Sequence, residues 1–125
     1  MITKVEYEGY RSIIEDPELR KTMSGNSPDK VSMLGSEMAA YYARLSGELA
    51  DMRDLINSEF LVLVKSKAEG GEGMSAARAE KEAEARVNGQ HEVTRRQLKY
   101  IMDGMDKISF ACSARVRSFG KEGNF

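Results

Sequence analysis

The chain has no tryptophan, one cysteine, one histidine and two prolines in 125 residues. Each shortage excludes something. A single cysteine, Cys112, rules out an intrachain disulfide and makes a reducing cytoplasm the expected setting. A single histidine, His91, with no repeated Glu-x-x-His motif, excludes the carboxylate-bridged metal sites of helical bundles. No apolar run approaches the roughly 18 residues that a membrane-spanning helix needs. The start, Met1-Ile2-Thr3-Lys4-Val5-Glu6, lacks the apolar stretch of a signal peptide. Both prolines stand before residue 30, so nothing of that kind interrupts a helix later in the chain.

What is present favours helices. The composition is 41% hydrophobic and 31% charged, which is too apolar for a wholly disordered chain. Net charge is -1, unevenly spread: residues 1–74 carry a balance of -4, residues 75–92 of -1 and residues 93–125 of +4. An acidic front and a basic tail can steer a polyanion or orient subunits head to tail, although two ordinary solvated faces would read the same way.

Asp16-Pro17-Glu18 is a helix start: a capping carboxylate, a proline where no amide hydrogen is needed, and an acid that complements the dipole. Ser27-Pro28-Asp29 repeats the signal. Apolar residues then recur at Val31, Leu34, Met38, Tyr41, Leu45, Leu49, Met52, Ile56, Phe60 and Leu63, always three or four apart. Gly70, Gly71 and Gly73 end the run, and Ser75 can cap the next helix. A second series runs Ala79, Ala83, Val87, Thr94, Leu98, Ile101, Met105, Ile108, Cys112, Val116 and Phe119, with His91 in its one gap.

These patterns predict an all-α protein, an elongated antiparallel helical hairpin of coiled-coil character with a short N-terminal helical appendage. The expected layout is a single domain over 1–125: appendage 1–26, long helix 27–68, Gly-rich turn 69–74, long helix 75–119 and a frayed tail 120–125. Arg78 with Glu82 and Glu82 with Arg86 are expected as surface pairs at helical spacing. Gly35 and Gly47 each weaken the first long helix by about 1 kcal/mol relative to alanine. Leu55, Leu61, Val62, Val64, Tyr100, Met102 and Phe110 fall off the main stripes. Such leftovers imply a second apolar surface and hence a homo-oligomer.

Few residues suggest chemistry. His91 reads as a partly buried seam residue and Cys112 as core. Glu80, Glu82 and Glu84 read as a solvated surface. The glycines at 70–73 lack the Gly-Lys-Ser/Thr of a phosphate-binding loop and have no strand before them. No catalytic residue, metal or cofactor is expected. The suggestive stretch is the basic one: Arg95, Arg96, Lys99, Lys107, Arg115 and Arg117 as phosphate contacts, with Tyr100 or Phe119 as a face for bases to stack on. Asp103 and Asp106 interrupt it, and the cations are not expected to form one stripe. The competing expectation pairs these arginines with Glu48, Asp51, Asp54 and Glu59.

Two segments, Lys65-Ser66-Lys67-Ala68-Glu69-Gly70-Gly71-Glu72-Gly73-Met74-Ser75 and Lys107-Ile108-Ser109-Phe110-Ala111-Cys112-Ser113-Ala114-Arg115-Val116-Arg117, carry a resemblance. Over residues 30–118 the layout resembles bacteriophage recombination-mediator proteins of the UvsY kind. The resemblance implies a ring-like helical homo-oligomer that binds single-stranded DNA, displaces the single-strand-binding protein and helps load a RecA-like recombinase, in the host cytoplasm and without a cofactor. Its carry-over is confined to the basic C-terminal part of the second long helix. The acidic first half and the missing tryptophan depart from the family pattern. The alternative expectation is a protein-only helical module: a scaffold, a virion component or an inhibitor.

Overall fold

In the computed structural model, which describes residues 2–70 and 75–122 and the side chains of 2–65 and 75–121, the chain is all-α. Four helices follow one another: α1 (Lys4–Ile14), α2 (Pro17–Ser24), α3 (Pro28–Gly70) and α4 (Ala76–Glu122). The expected turn at 69–74 falls largely on Gly71–Met74, outside the described residues. Of the tail expected to fray at 120–125, residues 120–122 belong to α4, and 123–125 lie outside the described residues.

Local chemistry explains the starts. Thr3 and Glu6 form a reciprocal capping box at α1, with the Glu6 amide donating to Thr3 Oγ1 at 3.1 Å. Asp16 Oδ1 accepts from the Glu18 amide at 2.9 Å, and Pro17 takes the first helical position of α2. Ser27 and Ser75 cap α3 and α4 from the Lys30 and Arg78 amides, each at 3.4 Å. Inside α4, His91 has φ -121° and ψ 16°, off the helical region, so two helical stretches meet there at a kink. Asn88-Gly89, just before it, is poor helix material.

The contacts fall into two compact units. The middle unit is Gly47–Arg96. In it α3 presents Met52 and Leu63, with Ile56, Phe60 and Val64 partly covered, against Ala79, Ala83 and Val87 of α4. Alanines let the two backbones approach closely, but they offer little side chain to bury. Of the two surface pairs that the spacing allows, Glu82 makes the one to Arg86, at 3.0 Å. Arg86 also reaches Glu59 of α3 at 3.9 Å.

The end unit is Ile2–Ser46 together with the chain from Gln97 onward. Here α3 contributes Val31, Leu34, Met38 and Leu45, and α4 contributes Leu98, Ile101, Met102, Met105, Cys112 and Phe119. Met102, expected off the stripe, is buried in this core. Gly35 sets the approach of the two helices: a Cβ there would lie 2.9 Å from the Cys112 Cβ. Ser109 Oγ donates to the Gly35 carbonyl across the same contact, at 3.3 Å. Gly104 does the same for α1, since a Cβ there would meet Ile14 Cδ1 at 2.8 Å. Tyr10 packs edge-on to Tyr41 with ring centres 5.5 Å apart, and Arg44 donates to the Tyr10 hydroxyl at 3.5 Å. The short helices thus form a third layer over the stretches of α3 and α4 that belong to this unit.

Candidate nucleic-acid interface

The end unit holds most of the basic stretch, and α4 decides which side chains face outward. Its inward residues Leu98, Ile101, Met105, Cys112 and Phe119 fix the rotation of the helix. With 3.6 residues per turn, Lys99, Asp103, Lys107, Phe110, Ala114, Arg117 and Lys121 then share the opposite face, at successive spacings of four, four, three, four, three and four. All seven are exposed. Four of the cations, Lys99, Lys107, Arg117 and Lys121, share this stripe, with one acid in it and Phe110, 70% exposed, near its centre, whereas Arg115 stands off it and Arg95 and Arg96 belong to the other unit. Among the described residues no salt bridge reaches Lys99, Lys107, Arg117 or Lys121.

The remaining candidates are placed differently. Phe119 is fully buried in the core, at 0% exposure, so it offers no face to a base. Arg115 lies half-buried over it, its guanidinium 4.1 Å from the Phe119 ring centre. The same guanidinium donates to the Gly25 carbonyl at 3.4 Å and to Ser118 Oγ at 3.5 Å. Arg115 therefore ties the end of α2 to α4, and its cation–π contact occupies the aromatic face beneath it. These two are corrections to the expected set.

Arg95 and Arg96 belong to the middle unit and are exposed. Arg96 is bridged to Glu92 at 2.7 Å. Tyr100 is partly exposed, and its hydroxyl donates to Glu15 Oε1 at 2.8 Å. That bond pushes the Tyr100 hydroxyl pKa up and pulls the Glu15 carboxyl pKa down, with Arg11 adding to the second effect.

Beside the stripe lies a cleft of about 690 Å³ between the α1–α2 corner and α4, with Ile14, Leu19, Met23 and Ile108 as its apolar lining and Lys107 at its edge. His91 is half-buried at the kink, as its place in the seam suggested. Cys112 is core, and burial raises its thiol pKa, which disfavours the reactive thiolate. Among the described residues no cluster of His, Cys, Asp and Glu could hold a metal, and no helix is long and apolar enough to cross a membrane.

Phe110, which the sequence already placed off the apolar stripes, is the exposed aromatic of this face, where Tyr100 or Phe119 was expected to stack. The signal was there: Phe119 sits in the seam series and Phe110 outside it. No family model, curated protein or solved structure matches the chain.

Proposed function

We propose that the chain is a non-enzymatic binding protein for single-stranded nucleic acid, gripping the strand along the outward face of α4 from Lys99 to Lys121. The supporting observation is the exposed stripe itself. Four cations without an ion pair among the described residues flank one exposed aromatic ring. Phosphates need cations along a track, and unstacked bases gain about 1–3 kcal/mol each from an aromatic face. The stripe spans about 33 Å of helix. Asp103 within it and Asp106 beside it lower the affinity of one copy, so multivalent binding by an oligomer is part of the proposal. Loading of a RecA-like recombinase, the role that the family resemblance implies, rests on this strand contact and is proposed with it.

Fluorescence anisotropy of a labelled oligo-dT strand tests the reading at about 50 and about 200 mM salt. Binding is expected at low salt and is expected to collapse at high salt. Lys107→Ala with Arg117→Ala should reduce the log–log salt slope by about 1.4. Phe110→Ala should weaken binding about 5- to 100-fold while leaving that slope unchanged. No binding at either salt by a protein with an intact helical circular-dichroism spectrum overturns the reading.

A protein-only module is the second reading. It is favoured by the apolar residues that stay exposed on α3 of the middle unit, Leu55, Leu61 and Val62.

A further inference from the structure

In the middle unit α3 is apolar on more than one side. Met52, Ile56, Phe60 and Leu63 already face α4. Yet Leu55 is 40%, Leu61 63% and Val62 64% exposed. Phe60-Leu61-Val62-Leu63-Val64 is an unbroken apolar belt around one turn of the helix, and apolar side chains on every side of a turn favour its being covered on more than the α4 side. Away from α4, Asp51, Leu55, Ser58, Val62 and Lys65 are spaced four, three, four and three, the repeat of a coiled-coil seam, and all five are exposed.

We infer that this seam is a two-fold contact between two copies of the chain, their α3 helices running antiparallel and crossing near Ser58. The pattern of the seam selects the occupant. In that arrangement Leu55 of one copy meets Val62 of the other, and the small Ser58 lets the helices close at the centre. Asp51 of each copy lies near Lys65 of the other, once at each end of the contact. A patch that is complementary to itself in this way is what a two-fold interface requires. A parallel copy would set Asp51 against Asp51 and Lys65 against Lys65, which is repulsive. Asp51, Asp54 and Glu59 against Arg53 and Lys65 leave this stretch without the excess of cations that an anionic membrane surface or a nucleic acid requires of its partner. The seam is about 21 Å long and smaller than a standard stable interface, so association in the micromolar range is expected. The inference does not depend on nucleic-acid binding.

Sedimentation equilibrium of the full chain, without nucleic acid, is the test. A monomer–dimer equilibrium in the micromolar range is expected, with Val62→Glu weakening it at least about tenfold, the size of one lost buried apolar layer. Asp51→Lys alone and Lys65→Asp alone should each weaken it several-fold, and the two together should restore it. Ser58→Cys should give a disulfide-linked dimer under mild oxidation, whereas Lys81→Cys, exposed on α4, should not. A chain that stays monomeric throughout the micromolar range overturns the inference and leaves the belt to another protein. Failure of the double reversal to restore dimerisation, or Ser58→Cys cross-linking no better than Lys81→Cys, overturns the antiparallel seam.

Discussion

The two compact units bury the same kind of helix pair with different materials. The end unit sets Leu98, Ile101, Met105 and Phe119 of α4 against Val31, Met38 and Leu45 of α3, all at 0–1% exposure, under a third layer of short helices. The middle unit sets alanines and one valine against Met52 and Leu63, with no third layer among the described residues. Stability should therefore be concentrated in the end unit. The middle unit keeps apolar surface to spare, which is the condition for binding something else.

Core truncation separates the units most strongly. Phe119→Ala should cost about 3–5 kcal/mol in urea denaturation, and Leu63→Ala, in the thinner core, about 2 kcal/mol. Equal losses would erase the distinction.

Glycines sharpen it further. Gly35→Ala drives a Cβ to 2.9 Å from that of Cys112, an atom with no freedom to swing aside. Overpacking of about 1–3 kcal/mol should outweigh the helix-propensity gain of about 1 kcal/mol. Gly47→Ala, at the edge of the middle unit, meets nothing within 4 Å. It should stabilise by up to about 1 kcal/mol. The same substitution in one helix is thus expected to show opposite signs, read as opposite shifts of the urea midpoint.

The smallest expected effect is on pH dependence. The Glu15 carboxyl pKa is lowered from 4.5, so its contribution is present above that value and is lost as pH falls through the lowered one. The Tyr100 hydroxyl pKa is raised from 10.0, so its contribution is present below that value and is lost as pH rises through the raised one. Tyr100→Phe should then be destabilising between those limits and neutral outside them. Denaturation midpoints of the two proteins across pH should converge at both extremes.

Much of this was legible in the residues. Asp16-Pro17 and Ser27-Pro28 announced two helix starts through their capping chemistry, and the apolar spacing from Val31 to Leu63 gave α3 its inward face. Periodicity reports which side of a helix turns inward; it does not report what that side meets. The division into two units was therefore hidden, as was the role of Gly35, whose meaning depends on Cys112, 77 positions away. The site was partly legible for the same reason. Lys99, Lys107 and Arg117 lie on the face opposite the seam. Phe119 lies in the seam, and Arg115, one turn before it, follows it inward to the Gly25 carbonyl. Choosing Phe110 rather than Phe119 as the stacking face required giving the inward face priority over the attraction of aromatic residues near positive charge.

The end unit is assembled from both ends of the chain, and the middle unit is continuous. Contacts such as Ser109 to Gly35 and Arg115 to Gly25 join residues 74 and 90 positions apart. Closing such a loop over an unstructured middle costs about 3–4 kcal/mol of chain entropy before any contact forms. Leu63 and Ala79 are far nearer in sequence and need nothing from either terminus. During synthesis Val31, Leu34, Met38 and Leu45 must wait, uncovered, until Leu98 to Phe119 have been made. Loop closure and the direction of synthesis both favour an order of middle first and ends last, in which the unit expected to be more stable is the later one to form.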